Sequence, residues 1–96
     1  MKYFHRTSVH PDEVLAAARR FFRPTLALVE EHSRRLQFAG PIGRIGIAAR
    51  ADGGHYIVVT AETDQVGESE ADKLAKRFLT TVHTMAEPRH RPIGAY

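Results

Sequence analysis

In the middle of the chain, apolar side chains recur at every second position, and this spacing constrains the fold more than any other feature. Leu36 and Phe38 alternate with polar neighbours, and Ile45, Ile47 and Ala49 repeat the pattern. Successive side chains of a strand point to opposite faces of a sheet, so this alternation predicts strands with one buried face. Strands joined by short turns are antiparallel. The middle of the chain therefore predicts an antiparallel sheet.

Two amphipathic helices are predicted on either side of these strands. The first begins at Pro11, whose fixed φ and missing N–H suit the first helical position, and runs to about Phe22. The second begins near Ser69 and Asp72, which resemble a capping box with the shorter acid, and Pro88 stops it. Each helix carries an apolar stripe, so both are expected to bury that stripe against the same side of the sheet.

The remaining segments complete the predicted order of elements. Residues 2–9 contain β-forming side chains without helical spacing and are predicted as a strand. Residues 25–38 are predicted as a hairpin with its turn at residues 30–33, although the same segment is also compatible with a helix. The order is then β-α-β-β-β-β-α, an α+β fold with two helices on one face of a curved antiparallel sheet. One domain is expected over residues 1–87, followed by a basic, flexible tail at residues 88–96.

Three glycines in the run "GPIGRIGIAARADGGHY", at positions 40, 43 and 46, raise the question of a phosphate-binding loop. In such loops the glycines follow a strand and open a helix, whose N-terminal amides hold the phosphate. Here they lie before and within a predicted strand, and the Asp-Gly-Gly at residues 52–54 predicts a hairpin turn. The glycines are therefore expected to mark a bend, a bulge or a close approach of backbone.

Composition narrows the classes of function. A chain of 96 residues with 43% hydrophobic and 26% charged side chains is typical of one folded domain. The absence of cysteine excludes disulfides, thiolate metal sites and cysteine nucleophiles. No apolar run approaches the roughly 20 residues of a membrane-spanning helix, and no signal peptide is recognised, so a cytoplasmic location is expected. The net charge of +3 is only a weak indication of an anionic partner.

A late strand leads into the long C-terminal helix in the segment "YIVVTAETDQVGESEADKLAKRFL". Over residues 1 to about 87, this order of elements resembles the helix-grip arrangement of the Bet v 1-like or START-like superfamily (SRPBCC) and of each half of the TATA-box-binding protein. START-like proteins are usually longer, and a TATA-binding half has a partner half. The resemblance therefore implies a shallow ligand groove between helix and sheet, or a homodimer. It carries over no residue role.

Two surfaces of the predicted fold are candidates for binding. A partner or a small apolar ligand is predicted to bind between the C-terminal helix and the sheet. The side chains expected to line this pocket are Phe21, Phe38, Ile47, Val59, Phe78 and Val82.

The second candidate surface is the open face of the sheet. It is expected to carry Arg35, Arg44, Arg50 and Tyr56, together with Val58. Arginine and tyrosine are common at interfaces, and an exposed valine favours cover by another chain, so a homodimer is the preferred interpretation. Nucleic acid is the alternative partner, because arginines contact phosphates and aromatic rings stack on bases.

Neither metal chemistry nor catalysis is strongly indicated. None of the six histidines forms the i, i+4 pair on a helix or the i, i+2 pair on a strand that would aim two imidazoles at one ion. No metal or cofactor is therefore predicted. No catalytic constellation is complete either, and an enzyme that uses His5 with Glu62 or Asp64 is a second alternative based on composition alone.

Overall fold

The computed structural model describes residues 1–86 and contains the predicted elements in the predicted order. These elements are β1 (Lys2–Thr7), α1 (Pro11–Phe22), β2 (Ala27–His32), β3 (Arg35–Gly40), β4 (Gly43–Ala51), β5 (Ile57–Thr63) and α2 (Glu70–Ala86). The protein therefore has an α+β fold of β-α-β-β-β-β-α order, as predicted. The tail predicted at residues 88–96 lies outside the described residues.

The five strands form one antiparallel sheet in the order β1-β5-β4-β3-β2, with β1 and β2 at the edges. The register aligns the apolar positions of neighbouring strands. Leu36 is opposite Ile47, and Ile47 is opposite Ala61. Side chains that are directly opposite lie on the same face of a sheet, so the alternation in the sequence becomes one continuous apolar face.

Both helices pack on this apolar face. α1 contacts β4 and β3, whereas α2 contacts β5, β1 and β4. Phe22 of α1 joins the two helices to the sheet, because its ring centroid lies 5.2 Å from that of Phe78 on α2 and 4.9 Å from that of Phe38 on β3. All three rings are fully buried. The opposite face of the sheet is not covered by any part of residues 1–86.

Residues 25–38 form a hairpin rather than a helix, but the predicted turn position is wrong. β2 continues through Glu30 and Glu31, and the turn lies at Ser33 and Arg34. Two features explain the difference. β2 is an edge strand with exposed polar side chains, and an irregularity in pairing between Leu28 and Glu30 interrupts its alternation.

The glycines mark positions of special local geometry in and before β4. Gly43 begins β4 with a φ of +125°, which residues with a side chain rarely adopt. Gly46 lies within β4, and a Cβ at this position would come within 2.7 Å of Gln37 Nε2. The predicted turn at residues 52–54 is also present, since the Asp52 N–H donates to the Tyr56 carbonyl at 3.0 Å. None of these glycines opens a helix.

We expect Phe78→Ala to lower the free energy of unfolding by about 3–5 kcal/mol, because it leaves a cavity beside the rings of Phe21 and Phe22. Val66→Ala is the control, since Val66 is 79% exposed and its truncation is expected to cost less than about 0.5 kcal/mol. Urea denaturation measures both values. Equal unfolding midpoints for the two variants would contradict the role assigned to the ring cluster.

Candidate functional site

The six residues predicted to line an apolar ligand pocket lie together in the core. Five of them have no exposed surface, and Phe21 is partly buried against the others. The Phe21 ring centroid lies 5.0 Å from that of Phe22 and 5.5 Å from that of Phe78. A ligand between the helix and the sheet would have to displace these rings. Ligand binding at this position stays a prediction.

The open face of the sheet carries the side chains that alternate with the core positions. On β4 these are Arg44, Gly46, Ala48 and Arg50, so two small residues lie between two arginines. Arg35 of β3 is opposite Ala48 in the register. The sheet therefore places on one face the three arginines that were predicted to share it. The small residues Gly46 and Ala48 lie between them and form a low floor.

These small residues leave a shallow depression on the open face. Its central part has a volume of about 270 Å³ and is lined by Lys2, Arg35, Gln37, Arg50, Thr60 and Glu62 above the floor of β4. A second depression of about 180 Å³ shares Gln37 and Glu62 with the first and reaches Arg44. A third of about 260 Å³ shares Arg50 and reaches Phe4 and Arg6. We call this continuous surface, from Arg44 to Phe4, the open-face groove.

Positive charge dominates the open-face groove. Lys2 Nζ lies 3.6 Å from Glu62 Oε2, and Arg6 Nη2 lies 3.2 Å from Asp52 Oδ2, so two of its cations are paired. Within residues 1–86, however, no carboxylate forms an ion pair with the arginines at positions 35, 44 and 50. After the hydrogen bond from the Arg44 backbone N–H, the charge of Arg44 also helps to lower the pKa of the nearby Asp64 carboxylate. Because none of the three is held in an ion pair, each guanidinium group can bind an anionic partner with up to five N–H donors.

Asp64 lies at one end of the open-face groove, but its carboxylate already accepts hydrogen bonds from neighbouring residues. Its Oδ1 accepts a hydrogen bond from the Arg44 backbone N–H at 2.9 Å and another from Gln65 Nε2 at 2.9 Å. The Arg44 N–H, followed by the Gln65 amide, lowers the pKa of Asp64 below its ordinary value. Asp64 thus stabilises the start of β4 and the end of β5.

Two aromatic rings are exposed on or next to the sheet, and one of them, that of Phe4, lines the open-face groove. Phe4 on β1 is 61% exposed, and Lys2 Nζ lies 5.7 Å from the centroid of its ring. Tyr56 immediately precedes β5 and is 55% exposed. Sequence reasoning singled out Tyr56, which stays a prediction, and missed Lys2, Phe4 and Arg6, which line the groove. Their strand is first in the sequence, and its position beside β5 depends on long-range pairing that no local pattern encodes.

A second polar cluster connects β1 to the start of α2. The Tyr3 hydroxyl donates to Asp72 Oδ1, while Asp72 Oδ2 accepts from the Glu68 N–H at 3.2 Å and lies 3.2 Å from Lys76 Nζ. Asp72 is fully buried, and these contacts, the Tyr3 hydrogen bond foremost, lower its pKa. The same hydrogen bond raises the pKa of Tyr3. The cluster therefore holds a buried carboxylate in its ionised form.

The predicted capping box is formed only in part. Ser69 Oγ accepts the Asp72 N–H at 3.1 Å, as that motif requires. The Asp72 carboxylate, however, reaches the N–H of Glu68 rather than that of Ser69. Sequence reasoning assigned Asp72 to the helix cap and missed its contact with Tyr3, since the two residues are 69 positions apart.

Beside this cluster, a depression of about 410 Å³ lies between β1 and α2. His5 and His83 meet there with ring centroids 5.8 Å apart in an edge-to-face arrangement. Burial, followed by the proximity of His83, lowers the pKa of His5. His5 lies on the helix-covered side of the sheet, whereas Glu62 lies on the open face. The structure thus separates the His5–Glu62 pair of the enzyme alternative.

Neither the geometry of possible metal ligands nor similarity to known proteins identifies the chemistry of these surfaces. In the part of the chain that the structure describes, no group of three or more His, Asp or Glu side chains is arranged to hold a metal ion. No helix in that part is long and apolar enough to cross a membrane. No protein-family model matches the chain, and a search of curated proteins finds no match. The resemblance to helix-grip proteins thus stays a prediction based on element order.

We expect Asp72→Ala to lower the free energy of unfolding by about 2 kcal/mol, because Tyr3 and Glu68 both lose a hydrogen-bond acceptor. Ser69→Ala, which removes only the cap contact, is expected to cost about 1 kcal/mol. Thermal and urea denaturation compare the two variants. If Asp72→Ala costs no more than Ser69→Ala, the link between β1 and α2 adds nothing to stability.

Stability is expected to fall as the pH drops below about 6.5, the ordinary value for histidine. The lowered pKa of His5 means that the unfolded chain binds this proton more readily than the folded protein does. The contribution of neutral His5 to the free energy of unfolding is therefore complete above about pH 6.5 and is lost as the pH falls. His5→Gln should show a smaller decrease in melting temperature between pH 7 and pH 5, whereas His55→Gln, at an exposed turn, should behave as the wild type does. Identical decreases in all three proteins would exclude the role of His5.

Proposed function

We propose that the domain binds single-stranded nucleic acid through the open-face groove. The observation that carries the proposal is the set of three arginines at positions 35, 44 and 50, none of which forms an ion pair within residues 1–86, on either side of a floor of small residues. Phosphate groups satisfy guanidinium donors in a bidentate geometry, and the release of counterions adds affinity.

The spacing of the charges favours a polymer over a small anion. Arg44 and Arg50 are at opposite ends of the exposed part of β4, and six residues of extended strand span about 20 Å. One phosphate group cannot contact both guanidinium groups, but a chain of phosphates can. Lys2 and Arg6 on β1 extend the same positive surface.

The exposed aromatic rings favour a single strand over a duplex. Phe4 lines the cationic groove and is more than half exposed, and Tyr56, immediately before β5, is also more than half exposed. Stacking of one base on an aromatic side chain contributes about 1–3 kcal/mol, but only unpaired bases present their faces for it. A combination of cationic groove and exposed rings is typical of proteins that bind single strands.

The same face is less suited to a homodimer. The sequence argument for a dimer included an exposed apolar patch of Val58 and Tyr56; Tyr56 is 55% exposed, but Val58 is only 6% exposed, so the patch is smaller than predicted. A twofold axis through this face would place a surface whose cations outnumber its carboxylates against a second copy of itself. Self-association stays a prediction, as does an apolar ligand in the core. From element order alone, we also propose a structural relationship to helix-grip proteins, and no residue role is taken from it.

The test is the binding of a fluorescent 12-nucleotide single strand of mixed sequence, followed by anisotropy at 50 and 200 mM salt. Changing Arg35, Arg44 and Arg50 together to alanine is expected to weaken binding at least tenfold at 50 mM salt. It should also reduce the slope of log K against log salt by up to about 2, at roughly 0.7 for each lost phosphate contact.

A second triple variant is the control for net charge. Arg20, Arg23 and Arg77 are exposed and lie outside the open-face groove, so their change to alanine removes the same charge. This variant should bind nearly as the wild type does. An equal loss in both variants, or no binding of the wild type at 50 mM salt, would refute the proposal. A stable dimer of twice 10.8 kDa without nucleic-acid binding would favour the second copy instead.

A further inference from the structure

We infer that the centre of the open-face groove reads guanine, with Gln37 and Glu62 as the specificity-determining residues. The inference rests on the proposed binding of single strands and adds the base that is preferred. It starts from three residues in register across neighbouring strands. Gly46 on β4 is opposite Gln37 on β3 and opposite Glu62 on β5. An amide and a carboxylate therefore lie on either side of a residue without a side chain, with their strands about 10 Å apart.

A side chain at Gly46 would displace the Gln37 amide rather than strain the backbone. The φ of Gly46 is not positive, unlike those of Gly43 and Gly53, so any residue could adopt its backbone geometry. A Cβ at this position, however, would lie 2.7 Å from Gln37 Nε2 and 3.3 Å from Gln37 Oε1. A glycine within a strand costs stability. Its effect here is to let the Gln37 amide lie across the middle of the groove.

The Gln37 amide is free to bind a ligand. It is only partly buried, and none of the side-chain hydrogen bonds within residues 1–86 involves it. The amide borders both the central depression and the one that reaches Arg44. It offers two N–H donors and one carbonyl acceptor, so it can form hydrogen bonds with the donors and acceptors on the edge of a base.

Glu62 determines which base is preferred. A carboxylate repels phosphate, so its position in a cationic groove weakens backbone binding unless it contacts hydrogen-bond donors. Its ion pair with Lys2 is more than half exposed on both sides, and such pairs contribute little. An ionised carboxylate only accepts hydrogen bonds. The base that presents two adjacent donors, a ring N–H and an amino group, is guanine.

Guanine also matches the other side of the groove. Next to its two donors it presents a carbonyl oxygen, which can accept from the Gln37 amide N–H groups. Adenine and cytosine place an acceptor nitrogen beside their amino group, and that nitrogen would face the Glu62 carboxylate unfavourably. Thymine and uracil have a single N–H between two carbonyl oxygens. Guanine is thus the base that Gln37 and Glu62 together favour.

The experiment compares four fluorescent octanucleotides at 50 mM salt: eight thymines, and the same strand with one central guanine, adenine or cytosine. We expect the wild type to bind the guanine strand about tenfold more tightly than the all-thymine strand. Glu62→Gln should abolish this preference and bind the all-thymine strand at least as well, because a negative charge has been removed. Glu13→Gln, the same charge change at an exposed position of α1 on the other side of the sheet, should keep the preference.

Each other outcome has a distinct meaning. Equal binding of the four strands by the wild type, or a preference for adenine or cytosine, overturns base reading and leaves the proposed function standing. A guanine preference that survives in Glu62→Gln overturns the assignment of that residue. Failure of the wild type to bind any strand overturns the proposed function itself. Melting temperatures of the variants verify that each one is folded.

Discussion

The contact of Phe22 with Phe38 and Phe78 is the interaction on which the rest of the structure depends. It is the place where α1, α2 and the sheet meet, and its three rings are fully buried. Because both helices pack their apolar stripes against this side, the sheet has one buried face and one face exposed to solvent. The arrangement of charge on the open face follows from this asymmetry, since every strand alternates between the two environments.

The open face differs from an ordinary solvated surface in the order of its side chains. A strand that only needs solubility can carry polar residues at every outward position. β4 instead has a glycine and an alanine between its two arginines, which lowers the floor and leaves the cations at the rim. Such a profile costs strand stability, because small residues pack poorly and glycine favours the unfolded chain. The same small residues form the floor of the depression on the open face.

Much of the fold could be predicted from local patterns, whereas the polar contacts could not. Pro11, the alternation around Ile45 and Ile47, and the turn at residues 52–54 act over a few residues, and each was located correctly. The turn between β2 and β3 was misplaced because an edge strand tolerates polar residues that resemble a turn. The contact between Tyr3 and Asp72 could not be predicted, since it joins the first strand to the last helix. The three arginines were assigned to one face correctly because alternation alone determines the face, but their cationic neighbours on β1 depend on long-range pairing.

The pairing of β1 with β5 also has a consequence for how the chain folds as it is made. Lys2 is opposite Glu62, so the earliest strand has no partner until the latest strand has left the ribosome. At roughly 5–20 residues per second, that interval lasts several seconds, during which the edge of β1 is open to wrong partners. The positive charges of Lys2 and Arg6 hinder pairing with other nascent copies of the same strand. The charges that extend the groove in the finished protein thereby also protect the growing chain.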